Sequence, residues 1–176
     1  VKVVSLMHGA DVFDYAGAGE VDTLKSDVTF VGGYWPYKAQ TLDKYLIRLC
    51  HPVGKFNIKI FGGSDWPVVQ YAGRVSNENV KHAFRSATIC PNVSEPHSQD
   101  FGYDEIIFAK TPEEFEQLIE YYVNHPDETL PYIEKGYKCV LDNHTYFHRV
   151  STIFKELDMP KEAEKCLLAL KSMVQQ

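Results

Sequence analysis

Hydrophobic and polar positions in the first half of the chain alternate between the spacing of strands and the spacing of helices. Short apolar runs predict strands at Val1–Leu6, Val28–Val31, Phe56–Phe61, Tyr71–Val75 and Ala87–Cys90. Leucines recur at helical spacing over Thr41–Cys50, and Ser76 is suited to cap a helix over Asn77–Ser86. The polar, glycine-containing stretch between the first two strands, up to Ser26, is predicted to be a loop. Strands that alternate with helices predict a Rossmann-like doubly wound parallel sheet, an α/β fold.

The second half of the chain has mostly helical spacing, which predicts a helical C-terminal tail. Thr111-Pro112-Glu113-Glu114 combines an N-cap residue, a proline at the first helical position and two acidic residues in the first turn. His125-Pro126-Asp127 ends that helix, and Asp127 is expected to cap the next one. Two further helices are predicted over Thr145–Leu157 and Lys161–Val174. These patterns divide the chain into an entry segment (1–26), a Rossmann-like domain (27–142) and C-terminal helices (143–176).

The predicted helix at Thr145 is interpreted as scaffold, although His144 and Arg149 at its start are residue types that serve in catalysis. A cap at Asn143 or His144 and a packed stripe of Tyr146, Val150 and Phe154 account for its sequence.

One junction does not fit the predicted sheet. Phe101–Glu105 joins a polar loop directly to an apolar run, Ile106–Ala109, that is predicted to be a strand. A doubly wound sheet would place a helix and a further strand here. We therefore expect residues to be absent from the sequence at Gly102–Tyr103.

Composition and charge narrow the range of partners. With 176 residues, a net charge of −6 and 44% hydrophobic residues, the chain is expected to form a domain with a substantial core. The acidic balance gives no general attraction to nucleic acid or anionic membranes. The longest apolar runs have the length of strands, so no membrane span is expected, and a cytoplasmic protein is predicted.

The four cysteines lack the spacing of a zinc site, so no metal is expected. They are predicted to be buried free thiols: Cys50, Cys90, Cys139 and Cys166.

Candidate binding residues follow the predicted strands. Ligands of parallel sheets bind beyond the carboxyl ends of the strands, where glycines let the backbone approach closely. The candidate residues are Gly32, Gly33, Lys38, Gly73, Arg74, Asn92, Ser94, His97 and Ser98. Lys38 and Arg74 carry charges that suit a phosphate. The candidates also have structural alternatives. For Lys38 the alternative is a solvated surface lysine, and for Arg74 it is an ion pair with Glu78. Ordinary turn propensity is the alternative for the polar loop of Asn92, Ser94, His97 and Ser98.

Several ordered motifs together resemble the donor-binding half of a GT-B glycosyltransferase of the group 1 type, in the CgeB-like (spore maturation protein) branch. The segments that carry the resemblance are Val3–Asp11, Asp27–Gly33, Ile60–Trp66, Gly73–Val75, Asn92–Ser94 and His144–Val150. Their order and approximate spacing extend over nearly the whole chain, and the H-T-Y-x-x-R segment is the most specific. Two features depart from the family pattern. Met7 stands where the family has proline, and the acidic and basic cluster expected after the polar loop is absent between Asp100 and Glu105.

The resemblance implies a metal-independent glycosyltransferase, hexosyltransferase-like, whose substrate is a nucleotide-diphosphate sugar and whose acceptor is unknown. No cofactor is implied. It further implies that an N-terminal acceptor domain lies outside this sequence and that the general base belongs to it. His8, in the connector near the interdomain cleft of the family, is the candidate catalytic residue within this chain.

Two alternatives remain at this point. The same fold could serve as a non-catalytic nucleotide-binding or protein-interaction module. The second alternative is a flavodoxin-like domain with an appended helical tail. Such a domain would have a cluster of acidic residues at strand ends near the start of the chain, and Asp11 and Asp14 fit that pattern poorly.

Overall fold

The computed structural model describes residues 9–93 and 106–174. The chain divides into two compact units. One unit comprises Ala18–Tyr132, and the other combines Val1–Gly17 with Ile133–Gln176. The strands are β1 (Ser26–Val31), β2 (Ile58–Phe61) and β3 (Ala87–Ile89). The helices are α1 (Val12–Ala16), α2 (Pro36–Leu42), α3 (Asn77–Arg85), α4 (Pro112–Asn124), α5 (Leu130–Asn143), α6 (Tyr146–Glu156) and α7 (Pro160–Val174).

The sheet is parallel, with β1 between β2 and β3. Val28 pairs with Ile58 on one side of β1 and with Ile89 on the other. The connection through α2 moves from β1 to β2, and the connection through α3 returns across β1 to β3. Because such crossovers are right-handed, these two helices cover opposite faces of the sheet. The predicted Rossmann-like α/β fold is therefore confirmed.

The core of this unit lies between the sheet and the helices. Its most deeply buried aliphatic side chains are Val28, Leu42, Leu46, Leu49 and Ile60. A π-helical turn over Asp43–Ile47 continues α2 and supplies Leu46 to this core. Cys50 is also buried there, and burial raises the pKa of its thiol to about 11.

Helix α4 is attached to this core by both apolar and charged contacts. Ile119 is buried, and Phe115 packs edge-to-face against Tyr45 at 5.5 Å between ring centroids. Glu116 accepts from Arg48 Nε at 3.1 Å and from Lys55 Nζ at 3.0 Å. The helix begins as predicted, because the Thr111 hydroxyl accepts from the backbone N–H of Glu114.

The first residues of β1 set the register of the sheet. The Asp27 carboxylate accepts from the backbone N–H of Asn57 at 2.7 Å, and the Asn57 amide donates to the Lys25 carbonyl. The buried Ser26 and Thr29 hydroxyls bond each other at 2.7 Å. Asp27, the first residue of the segment Asp27–Gly33, therefore has a structural role in aligning β1 with β2.

In the other unit, α6 and α7 pack closely through small residues. The Ser151 hydroxyl is buried and donates to the carbonyl of Ala163 at 2.9 Å. Ala163 and Leu170 on α7 are buried. The predicted stripe on α6 is wrong, because Tyr146 and Val150 are exposed and the close approach of the two helices is made at Ser151.

Three of the sequence predictions about local structure are corrected. The loop predicted up to Ser26 contains α1, which the Asp11 side chain caps, and a 3-10 turn over Asp22–Leu24. The segment Tyr71–Val75 makes a single bridge, Tyr71 to Ile60, because Gly73 then turns the chain with φ +87°. Ile106–Ala109 is not a strand; Ile106 and Phe108 are exposed, and no strand pairs with them in the part of the chain that is described.

Two helix caps and three thiols also differ from prediction. Asp127 does not cap α5, because a 3-10 turn over Pro126–Thr129 runs directly into that helix. The N-cap of α6 is Thr145, not Asn143 or His144. Cys90 is exposed rather than buried, since β3 ends one residue before it. Cys139 and Cys166 are only partly buried, so Cys50 alone among the four has the predicted burial.

Some predictions fall on residues that the structure does not describe: the strand Val1–Leu6 and the junction Gly102–Tyr103. Among the helices of residues 9–93 and 106–174, none has both the length and the apolar character needed to cross a membrane.

Candidate functional site

Three glycine-bearing segments meet at the carboxyl edge of β1 and β2. The backbone N–H of Gly32, just after β1, donates to the carbonyl of Phe61 at 2.8 Å. The N–H of Gly62, just after β2, donates to the carbonyl of Gly73 at 3.1 Å. This is the sheet edge at which parallel α/β folds bind ligands.

Close backbone contact explains the glycine at position 62. A Cβ on Gly62 would lie 2.0 Å from the carbonyl oxygen of Gly32, and neither backbone can move freely within the sheet. At Gly73 the requirement is conformational, because its φ of +87° is rarely adopted by other residues. By contrast, a Cβ on Gly63 would meet open space.

The loop after β1 is held by Tyr34. Its backbone N–H donates to the Ser64 hydroxyl at 2.8 Å, and its phenol donates to the Asp43 carboxylate at 2.7 Å. The hydrogen bond to Asp43, with burial second, raises the pKa of Tyr34 above its ordinary value. Tyr34 thus fixes the loop to both the next strand's turn and the helix that follows.

Trp66 lies beneath these turns. It is 6% exposed and contacts Phe30 edge-to-face at 5.5 Å and Tyr34 at 5.2 Å between ring centroids. Its indole nitrogen lies 3.2 Å from the point where a Cβ of Gly62 would stand. Within the described part of the chain this buried N–H has no hydrogen-bond partner.

Trp35 has the opposite environment. Half of its surface is exposed, although it directly follows the buried strand and the fixed Tyr34. Its ring lies over Gly33, where an added Cβ would come within 2.5 Å of the indole. Sequence reasoning missed Trp35; the signal was a large aromatic side chain two residues after a strand-end glycine.

The structure brings several predicted site residues to this edge. Gly32 and Gly33 follow β1, and the Lys38 ammonium lies 5.9 Å from the centroid of the Phe30 ring. Gly73 bonds to Gly62, and the exposed Arg74 follows it directly.

The remaining predicted residues are placed less fully. Asn92 is exposed and follows β3, whose carboxyl end lies at the same edge of the sheet. Ser94, His97, Ser98 and the candidate catalytic His8 lie outside the described residues.

Part of the expected phosphate-binding backbone is already engaged within the protein. The N–H of Tyr34 donates to Ser64, and the N–H of Lys38 donates to the Trp35 carbonyl at 3.0 Å. Charge for a phosphate at this edge therefore has to come mainly from the Lys38 and Arg74 side chains.

The H-T-Y-x-x-R segment has a different role, in the other unit. The Arg149 guanidinium contacts His144 Nδ1 at 2.9 Å and donates to the Asn143 carbonyl at 3.2 Å. The His144 carbonyl in turn accepts from the backbone N–H of Ala10 at 2.8 Å. These residues close the gap between α5 and α6 and hold the entry segment beside it, which agrees with the interpretation as scaffold.

His148 completes this arrangement as part of a capping box. The Thr145 side chain and backbone N–H both contact His148 Nδ1, at 2.8 and 3.4 Å. Burial, followed by the charge of Arg149, lowers the pKa of His148 below its ordinary value. Gly9 lies so close to α6 that an added Cβ would be 2.9 Å from the backbone nitrogen of Tyr146.

Metal-ligating side chains do not cluster within the described part of the chain. Across residues 9–93 and 106–174, no three histidines, cysteines or acidic residues come together in a way that could hold a metal ion.

In a comparison with protein families, residues 101–155 match a family described as glycosyl transferase-like. The match spans less than half of the chain and falls on the helices α4 and α5 and most of α6. It supports a glycosyltransferase family and a glycosyl transfer activity. Neither a search of curated proteins nor a search of solved structures finds a match.

Proposed function

We propose that this chain binds the nucleotide-diphosphate sugar of a GT-B glycosyltransferase of the CgeB-like type. The observation that carries the proposal is the close backbone crossing of Gly32 and Gly62 at the carboxyl edge of the sheet, with Lys38 and Arg74 beside it. The glycosyl transferase-like match on α4, α5 and α6 supports the reaction class.

Glycosyl transfer from such a donor breaks the bond between the anomeric carbon and the diphosphate. Positive charge builds up on the sugar ring, and negative charge builds up on the leaving diphosphate. Lys38 and Arg74 are the cationic side chains at this edge that would stabilise the leaving group, Arg74 through a planar pair of N–H donors. In this proposal they take the role that a divalent cation has in metal-dependent transferases.

The acceptor side of the reaction is proposed to lie elsewhere. A general base is required only if the anomeric configuration inverts. His8 remains the candidate within this chain.

Calorimetric titration with UDP, GDP and ADP, with and without Mg²⁺, tests the proposal. We expect saturable binding of at least one of them that does not require Mg²⁺. Lys38→Met and Arg74→Gln should each weaken binding about tenfold, the loss expected for one charge-assisted hydrogen bond. Lys138→Met on α5 and Arg85→Gln at the end of α3 are matched controls that should bind as the natural chain does.

Two results would contradict the proposal in different ways. If none of the three nucleotides binds, this edge of the sheet is not a donor site, and an interaction module on the same fold becomes the better account. If binding occurs only with Mg²⁺, the donor site stands and the metal-independent chemistry is wrong.

A further inference from the structure

Trp35 is an aromatic side chain held on a fixed backbone. It is the N-cap residue of α2, and its carbonyl accepts from the N–H groups of Lys38 at 3.0 Å and Ala39 at 2.7 Å. Pro36 follows at the first helical position, where its ring limits backbone rotation. Tyr34, on the other side, is bonded to Ser64 and Asp43. The position of the Trp35 ring is therefore set before any ligand arrives.

One side of the ring is covered and the other is open. The ideal Cβ position of Gly33 lies 2.5 Å from Cε2, 2.6 Å from Nε1 and 2.7 Å from Cζ2 of Trp35. The indole therefore rests on the glycine, which no larger residue at position 33 would allow. Trp35 is nevertheless 50% exposed, whereas Trp66 in the same site is 6% exposed.

The location of this open ring favours a ligand. Strand β1 is the central strand of the sheet. Parallel α/β folds bind their ligands beyond the carboxyl ends of the strands, and Trp35 follows the carboxyl end of β1. Lys38 lies one helical turn after Trp35, with its ammonium near the Phe30 ring. A flat aromatic surface beside a cation matches the two parts of a nucleotide, the base and the phosphates.

The neighbouring polar groups favour a base over a sugar ring on this surface. A sugar needs several hydrogen-bond partners around it. The Tyr34 hydroxyl already donates to Asp43, and the Ser64 hydroxyl already accepts from Tyr34. The exposed part of Trp35 is largely an aromatic ring, which binds planar rings without hydrogen bonds.

We infer that the nucleobase of the donor stacks on Trp35, with its phosphates toward Lys38. This inference rests on the proposed function and adds the part of the donor that this residue binds. Because every base has an aromatic face, stacking here provides affinity with little selection among bases.

Calorimetry on Trp35→Ala tests the inference, with UDP and inorganic pyrophosphate as separate ligands. We expect UDP to bind about fivefold or more weakly, while the affinity for pyrophosphate stays unchanged. Gly33→Ala should give the same pattern, since its Cβ must displace the ring. Tyr37→Ala is the matched control, because Tyr37 is 60% exposed two residues away and should not affect binding.

Fluorescence provides a second readout that does not depend on affinity. The chain has two tryptophans, so Trp66→Phe leaves Trp35 as the single emitter and Trp35→Phe leaves Trp66. Stacking predicts that UDP quenches the emission of Trp66→Phe, that pyrophosphate does not, and that Trp35→Phe responds much less.

The outcomes separate this inference from the proposed function. If Trp35→Ala binds UDP as tightly as the natural chain does, the inference is overturned and the donor site stands. If Trp35→Ala loses UDP and pyrophosphate equally, the ring organises the loop instead of stacking on the base, and the inference is also overturned. If the natural chain binds no nucleotide at all, both the proposed function and the inference fail.

Discussion

The carbonyl oxygen of Gly32 lies against the α-carbon of Gly62, so that a Cβ at position 62 would be only 2.0 Å from it. The two glycines end neighbouring parallel strands, and their contact forms the floor of the candidate site. The fold brings the two backbones this close, and the candidate site requires glycine at position 62 for that reason.

Gly62→Ala tests this contact. The new methyl group would collide with backbone rather than with a side chain that can rotate, so we expect a loss of about 2–3 kcal/mol in the free energy of unfolding. Gly63→Ala is the control, because its Cβ would enter open space and should change stability by less than about 0.5 kcal/mol. Equal stability of the two variants in urea titrations would show that the strands are not in contact at this point.

Trp66→Phe tests the unpaired indole N–H. Phenylalanine keeps an aromatic ring against Phe30 and Tyr34 and removes a buried donor that has no described partner. We therefore expect a cost below about 1.5 kcal/mol, compared with about 3–5 kcal/mol for Trp66→Ala. A similar cost for both variants, measured by urea unfolding, would mean that the N–H does form a stabilising bond.

His148→Gln tests the pH dependence of the capping box. The pKa of His148 is lowered in the folded chain, so folding favours its neutral form. Its contribution is fully present above the unfolded pKa of about 6.5 and declines as the pH falls through that value toward the folded pKa. Glutamine at the same position can still serve in a capping box and does not titrate.

The measurement is the urea midpoint of both chains at pH 7.5 and pH 5.5. The natural chain should lose more stability on acidification than His148→Gln does. Other groups titrate equally in both chains, so their effect cancels in the difference. An equal loss in the two chains would rule out His148 as the cause.

Arg149→Met distinguishes scaffold from active site. The guanidinium bonds to the Asn143 carbonyl and to His144, so its removal should cost about 1–2 kcal/mol of stability. Nucleotide affinity should stay unchanged, because the candidate site lies at the sheet edge of the other unit. If affinity falls while the unfolding free energy is preserved, Arg149 belongs to the binding site and the scaffold interpretation is wrong.

The sheet and most helix starts could be predicted because their signals are local. The apolar runs at β1 and β2 and the Thr111-Pro112 helix start each depend only on residues that are adjacent in the sequence. The strand predicted at Tyr71–Val75 failed for a reason that no local pattern shows. Its first residues do pair with Ile60, and the left-handed turn at Gly73 then stops the ladder.

The site was predicted only in part for a related reason. Glycines at strand ends indicate where the backbone can be approached, so Gly32, Gly33 and Gly73 could be selected from the sequence. The exposure of the side chains around these glycines depends on contacts between helices and strands that are distant in the sequence. Trp35 and Trp66 are the same residue type, and only the structure shows one resting on Gly33 and the other buried between Phe30 and Tyr34.

The most direct test of the central claim is a titration of the chain labelled with ¹⁵N-glycine, followed by NMR. The 11 glycines give a simple spectrum, and several of them mark the candidate site. With UDP, GDP or ADP added, we expect the largest shifts at Gly32, Gly33, Gly63 and Gly73. Gly9 and Gly136, in the other unit, should change little. Largest shifts at Gly9 and Gly136, or no shift at any glycine with all three nucleotides, would contradict a donor site at this edge of the sheet.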